Sequence, residues 1–184
     1  MQYPVAIATE RLEMRPLVFE DYQWWLPFMK DPQAIRFLLF SDDWTPEDRA
    51  KAWMERQLKR YEDEQFGLTA LIDKTTGEPV GQCGLLSQEV DGKPELEIGY
   101  HILPIHWGKG FATEAAVRFK NFAFEHQIAD SVISIIAPEN FASQKVAQKN
   151  GLQFERATRF RDCDVQIFRI SAKTWKKQLV SKFR

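Results

Sequence analysis

The stretch from Glu95 to Glu114, ELEIGYHILPIHWGKGFATE, constrains the fold of this chain more than any other. From Glu95 to Leu103 the side chains alternate. Glu95, Glu97, Gly99 and His101 fall on one face, and Leu96, Ile98, Tyr100 and Ile102 on the other. That period of two predicts a strand with two different faces. From about Ala112 the period becomes helical, with Ala112, Ala115, Ala116, Phe119, Phe122 and Ala123 on one stripe suited to packing on a sheet. Gly108, Lys109 and Gly110 stand at the junction, where backbone N–H groups converge on a helix N-terminus. Such an end has unpaired donors and a partial positive charge, so it can hold a pyrophosphate without a dedicated side chain. Gly110 permits the turn and lets an anion approach the backbone. With an acidic residue in the preceding strand, the arrangement suggests a phosphorylated carrier that delivers a group to a nucleophile.

A Gly-x-Gly by itself also serves plain strand-to-helix turns. Two better-known phosphate loops are excluded. Gly108-Lys109 is followed by Gly110 rather than Ser or Thr, and Thr113 stands where a dinucleotide fingerprint needs its third glycine.

The 184 residues fit one domain spanning 1–184, and 44% hydrophobic content supports a filled core. A formal net charge of −1 gives no general pull toward nucleic acid or anionic membrane. Apolar runs such as Val132 to Ala137 are too short to span a bilayer, and the N-terminal stretch lacks a signal-peptide pattern. Cys83 and Cys163 lie far apart without metal-ligand spacing, and the histidines form no metal motif. Small core cysteines suit a reducing compartment, so the expected location is cytoplasmic.

No repeat or linker divides the chain. Arg11 to Leu17 alternates as a first strand, and Phe19 to Met29 reads as a short aromatic-rich helix. Thr45-Pro46-Glu47-Asp48 starts a helix running to about Tyr61: a capping hydroxyl, proline at the first position, then acids. Phe66 to Asp73 and Pro79 to Ser87 form a strand pair hinged at Gly77. Ser131 to Ile136 is a buried strand, and Asn140 opens a short helix that stops at Asn150-Gly151. Strands near Leu152 to Thr158 and Cys163 to Ile170 follow, and the basic tail Lys173 to Arg184 finishes as a helix. The order implies an α/β or α+β domain with a mixed sheet.

Three segments, in this order and spacing, resemble the GNAT superfamily of acyl-CoA-dependent N-acetyltransferases, in particular its RimJ/RimL-like branch. Glu97-Ile98-Gly99-Tyr100 is similar to the branch's central-strand signature. Trp107-Gly108-Lys109-Gly110-Phe111-Ala112-Thr113-Glu114-Ala115 resembles its pyrophosphate loop and helix start. Asn140-Phe141-Ala142-Ser143, continuing to Val146, Lys149 and Gly151, resembles its next cofactor segment. Thr9-Glu10-Arg11-Leu12 and Arg15-Pro16 resemble its opening strand. The resemblance implies a mixed, strongly twisted central sheet, flanked by helices, whose two central parallel strands splay apart to hold acetyl-CoA. It places Gly108, Lys109, Gly110, Ala112 and Thr113 around the pyrophosphate, Asn140 on the pantetheine arm and Ser143 near the sulfur. Two positions depart from the pattern. Trp107 stands where the loop often opens with Gln or Arg, and Ala147 stands where many members carry a tyrosine acid.

Acetyl transfer to an amine needs removal of a proton, polarisation of the thioester carbonyl and tolerance of a leaving thiolate. Glu97 is the candidate for the proton relay, against a solvated strand face as the other reading. Glu95, on the same face, reads as solvent-facing or as an acceptor-site charge. Tyr100 and His101 read as packing residues. Ser143 is the candidate substitute acid, though Ser143 and Asn140 also suit plain helix capping. Lys109 reads equally as a phosphate contact or a solvated turn lysine. A strand amide near Ile136 or Ala137 is the candidate for polarising the carbonyl. Trp24, Trp25, Phe37 and Phe40 read as core. Asp42 and Asp43 in the aromatic segment Phe37 to Trp44 read as an amine-attracting loop or simple solvation. The expected partners are acetyl-CoA and an amine acceptor, either a protein N-terminus or a small molecule. A homodimer is a further candidate; a membrane and nucleic acid are not expected, and no metal is. The competing class is a non-catalytic acyl-CoA-binding regulatory module.

Overall fold

The computed structural model describes residues 7–41 and 43–181. Strands β1 (Ile7–Ala8) and β2 (Leu12–Pro16) lead through a short 3-10 turn into three helices, α1 (Tyr22–Lys30), α2 (Pro32–Ile35) and α3 (Pro46–Glu62). Strands β3 (Leu68–Asp73), β4 (Pro79–Val90) and β5 (Lys93–Ile102) come next, then α4 (Phe111–Glu125) and β6 (Ser131–Ile136). The chain continues through α5 (Phe141–Lys149), β7 (Gln153–Phe160), β8 (Cys163–Ser171) and α6 (Ala172–Ser181).

Local chemistry accounts for most of these boundaries. Thr45 caps α3 in a reciprocal box with Asp48, and Pro46 occupies the first turn. Asp91 and Gly92 both adopt positive φ, 53° and 70°, which fits the two-residue turn closing a long hairpin of β4 and β5. Through Ser181 the basic tail is a docked helix: Trp175 in α6 is buried and its indole N–H donates to Asn121 of α4 at 2.9 Å, and residues 182–184 lie outside the described residues. The short β1 and α2 have no counterpart in the sequence expectation, because two and four residues carry too little period to read.

The described strands form one sheet in the order β1-β2-β3-β4-β5-β6-β8-β7. Every neighbouring pair is antiparallel except β5 with β6. One face carries the stripe of α4, where Ala115, Ala116, Phe119, Phe122 and Ala123 are fully buried against Ile98, Val132 and Ile136. The other face carries α1 and α3, whose Trp25, Phe28, Trp53 and Met54 cover Leu68, Ala70 and Leu86. Helices thus flank a mixed sheet, as expected.

The parallel pair is minimal. β5 and β6 meet only at Glu97 opposite Ile133, whereas β4 and β5 pair from Gly81–Ile102 to Val90–Lys93. Past that point a buried carbonyl of β5 loses its ladder partner, and a side chain replaces it: Ser134 Oγ donates to the Ile98 carbonyl at 3.1 Å. Ser134 is itself 2% exposed. Ser134→Ala should therefore leave a buried acceptor unpaired and cost about 1–3 kcal/mol. Denaturant unfolding measures this, and an unchanged midpoint would show that water takes over the role.

Candidate active site

Where β5 and β6 separate, a cavity of about 140 Å³ opens. It brings Glu97, Tyr100 and His101 of β5 beside Ser134 to Ala137 and the start of α5 at Asn140 and Ser143. Phe37 and Leu38 close it from the side of α1 to α3, so Phe37 is a cavity residue rather than the core residue its composition suggests. Trp25 is core at 0% exposure, and Phe40 packs on Trp53 with ring centroids 6.4 Å apart.

Glu97 sits at the single point where β5 and β6 pair, partly buried, with one oxygen accepting from Gln88 Nε2 at 2.7 Å. Burial pushes its carboxyl above the ordinary range. The Gln88 bond, the charges of Arg60 and Arg161 and the Ile135 amide pull the other way without cancelling it. His101, two turns of the pleat onward, lies edge-on to Trp53 at 4.9 Å and to Phe28 at 6.1 Å. Burial lowers its imidazole to about 4, so it is neutral at neutral pH and behaves as the packing residue expected. Glu95 departs from its expectation. Its side chain is 10% exposed and both oxygens are held by Arg169, at 2.6 and 2.9 Å, so it is neither solvent-facing nor a free charge for an acceptor.

The glycine junction has the geometry its sequence implied. Gly108 and Gly110 adopt φ of 76° and 85°, and Gly110 is the N-cap of α4. That leaves the amides of the first helical turn, Phe111 to Thr113, without intrahelical acceptors. A side chain added at Gly108 would meet nothing within 4 Å, so this face of the loop is open. Lys109 is exposed, with its ammonium 3.4 Å from His106 Nδ1. Trp107 turns its indole N–H to the Ile102 carbonyl at 2.6 Å, which ties the loop to the end of β5.

A staple holds the loop from outside. Arg11 donates from Nε to Glu114 at 2.6 Å and from Nη1 to the Lys109 carbonyl at 3.0 Å, and its guanidinium lies 4.5 Å from the Phe111 ring centroid. Thr9 and the Arg11 amide also donate to Glu114. Burial alone would raise the Glu114 carboxyl, but these bonds outweigh it and hold it below the ordinary range. The only sequence signal for this staple was the likeness of the Thr9-Glu10-Arg11-Leu12 segment; its partner lies over a hundred residues on.

At the other side of the cavity, Asn140 is the N-cap of α5 and accepts from the Ser143 amide at 3.1 Å. Ser143 is partly buried in the first turn. Its carbonyl accepts from the Tyr100 phenol at 2.8 Å, so Tyr100 spans from β5 to α5 instead of merely filling space. Ala147 is 1% exposed in the core, and nothing in that position reaches the cavity. Asp42 lies outside the described residues. Asp43 is exposed and accepts from Ser41 Oγ. Among the described residues no cluster of His, Cys, Asp or Glu suits a metal, and no helix is long and apolar enough to cross a membrane.

Comparison with known proteins gives a consistent result. Residues 11–153 match the family model described as an acetyltransferase (GNAT) domain. The chain is 30% identical over 158 residues to the uncharacterized N-acetyltransferase p20 of Bacillus licheniformis, covering 85% of each. Its fold is similar to an acetyltransferase structure from Agrobacterium tumefaciens, at 25% identity and a TM-score of 0.73, covering 92% of this chain and 96% of that one. It is also similar in fold to the RimL ribosomal L7/L12 alpha-N-protein acetyltransferase in complex with coenzyme A. That match has 14% identity and a TM-score of 0.71, covering 92% and 99%.

The staple makes a sign-definite prediction. A carboxyl held low in the folded state adds stability above its unfolded value and loses it as pH falls through the folded one. Arg11→Leu should move the Glu114 titration back up toward the ordinary range and shift the acid limb of unfolding to higher pH. Carbon-detected NMR of the Glu114 carboxyl reads the first effect; an unmoved titration would show that Thr9 and the amide suffice.

Proposed function

Because this chain belongs to the GNAT family of acetyltransferases, we propose that it moves an acetyl group from acetyl-CoA to a primary amine, an α-amine in preference to a lysine side chain. The observation that carries this reading is Glu97: a carboxylate with a raised pKa at the point where β5 and β6 part, opening onto the cavity.

Acetyl-CoA supplies the activated thioester, and the residues present fit it. The left-handed glycines and open first-turn amides suit the pyrophosphate at Gly108, Lys109, Gly110, Ala112 and Thr113. The Asn140 carbonyl oxygen is committed to capping, which leaves its amide N–H₂ to donate to the pantetheine arm. Ser143, at the cavity edge, is assigned to the sulfur end. Polarisation of the carbonyl is assigned to a β6 amide. The Ile135 amide faces Glu97, so strand alternation turns the Ala137 amide to the same side, into the gap, and the Ile136 amide away from it.

Glu97 removes the amine proton, through water where the distance requires it. A raised carboxyl is a stronger base than an ordinary one, and the magnitudes select the acceptor. An α-amine of pKa ~8 costs about 1 kcal/mol to deprotonate at neutral pH, and a lysine of ~10.4 about 4–5. One carboxylate suffices for the first more readily than for the second. The α-N-protein activity named for the RimL structure agrees with this choice. One observation favours the second reading, a module that binds acyl-CoA without turnover: Ala147 places methyl in the core where many relatives of this pattern present a phenol.

Turnover separates the two. Glu97→Gln should lower kcat by about 10²-fold or more with coenzyme affinity little changed. In the parent enzyme kcat should rise with pH through the Glu97 titration, above the ordinary carboxylate range, because the ionised form is the base. Thiol release as a function of pH measures both, and a variant as fast as the parent excludes the relay. A second experiment presents one peptide with a free N-terminus and blocked lysines, and its converse. Acetylation is expected on the first; acetylation confined to the second would overturn the α-amine preference.

A further inference from the structure

Beside Glu97 the described charges are positive, and they lack carboxylate partners. Arg56 and Arg60 stand one turn apart on α3, with i,i+4 spacing that puts both side chains on one face. Arg60 reaches over the sheet to the Ser87 carbonyl at 3.4 Å, next to the strand pair Leu86–Glu97. Arg161 stands at the tip of the β7–β8 hairpin. There Arg161 and Asp162 adopt φ of 49° and 64°, and the Arg161 guanidinium stacks 5.1 Å from the Phe160 ring centroid. Arg60 and Arg161 both act on the Glu97 charge, and Arg161 repels Arg56 and Arg60 across the gap between helix and hairpin. Of the nearby acids, Glu95 and Glu155 bind Arg169, Asp91 binds Arg156, and Asp63 binds Lys59, while Asp162 and Asp164 stand beside Arg161 in the hairpin without forming an ion pair with it. Among the described residues no carboxylate forms an ion pair with Arg56, Arg60 or Arg161.

Three converging guanidiniums against one carboxylate repel one another, and an arriving anion removes that cost through charge-assisted, bidentate bonds. Arg56 and Arg161 are exposed and Arg60 is half-buried, so all three are open to a ligand. Resting on the acetyltransferase reading above, we propose that the acceptor carries an anionic group, a carboxylate or a phosphate, close to its reactive amine, and that Arg56, Arg60 and Arg161 hold that group while Glu97 faces the amine. This reverses the expectation that acids in this region attract a cationic acceptor. The same positive field favours the unprotonated amine that the reaction consumes, and it disfavours polyamines.

The test is the steady-state rate of acetyl-CoA thiol release with matched acceptors. One pair of peptides begins with Asp or with Asn, a second with phosphoserine or with serine, and spermidine is the cationic control. The anionic member of at least one pair should show kcat/KM about tenfold or more above its neutral partner, and the pair that does so tells carboxylate from phosphate. Arg56→Gln and Arg161→Gln should each shrink that ratio severalfold, mainly through KM, and Arg161→Lys should restore part of it. Arg60→Gln should in addition move the kcat–pH profile upward, since Arg60 also faces Glu97. Equal kcat/KM within both pairs, a preference for spermidine, or variants that slow both members of a pair alike would overturn the proposal and leave acetyl transfer standing. A parent enzyme that acetylates no amine would overturn the acetyl-transfer reading itself, and this proposal with it.

Discussion

The site depends on two parallel strands that touch at one residue pair and then part. A sheet normally satisfies its buried backbone by continuous pairing, so an opening in its middle exposes donors and acceptors that must be met otherwise. Ser134 meets one of them at the Ile98 carbonyl, and the Ile135 amide turns to the Glu97 carboxylate. The opening persists because the antiparallel ladders on both sides are long: β4 with β5 on one flank, β6 with β8 on the other. Those ladders fix the strand directions, and the gap between them gathers β5, the end of β6 and the start of α5 around one space.

That space is electrostatically uneven, and the unevenness has separate causes on its two sides. At the α4 end the donors are backbone amides freed by helix geometry and by glycines in the left-handed region, with Arg11 and Glu114 fixing the loop from behind. At the β5 end burial penalises the Glu97 charge, and Gln88, Arg60 and Arg161 recover part of that penalty. Glu95, two residues away, has both oxygens held directly by Arg169. Glu97 has an amide side chain as its direct partner and its cations at a distance, which keeps its basicity while leaving it ionisable.

What could be read from the chain divides by sequence distance. The strand, turn and helix around Gly108 and Gly110 were legible because alternation, glycine placement and helical period act within a few residues. The cap at Thr45 and the stop at Asn150-Gly151 were legible for the same reason. Asn140 read as both a cap and a coenzyme contact; the cap is visible in its bond to the Ser143 amide. The staple from Arg11 to Glu114, the clamp from Arg169 to Glu95 and the mutual repulsion of Arg60 on α3 and Arg161 in the β7–β8 turn join residues far apart in the chain. A charged side chain carries no mark of its partner, so Glu95 read as solvent-facing or as an acceptor-site charge although Arg169 holds it. Phe37 misled in another way: an aromatic side chain lining a cavity has the same composition as one filling a core.

The position of Tyr100 bears on why the site manages without a tyrosine on α5. Its phenol is buried, which raises its pKa, and it donates to the Ser143 carbonyl, so its proton is already in use. Ser143 in turn has its amide committed to the Asn140 cap, and its hydroxyl lies within hydrogen-bond reach of the same phenol at the edge of the cavity. In the proposed reaction a hydroxyl of ordinary acidity adds little to the departure of a thiolate, whose conjugate acid has a pKa of roughly 8–9. The demanding step is therefore at the amine, where each unit of pKa above the working pH adds about 1.4 kcal/mol. An enzyme with a strong proton acceptor and a weak proton donor is one suited to amines that are easily deprotonated. The buried Ala147, the occupied Tyr100 and the raised carboxyl of Glu97 all describe that same balance.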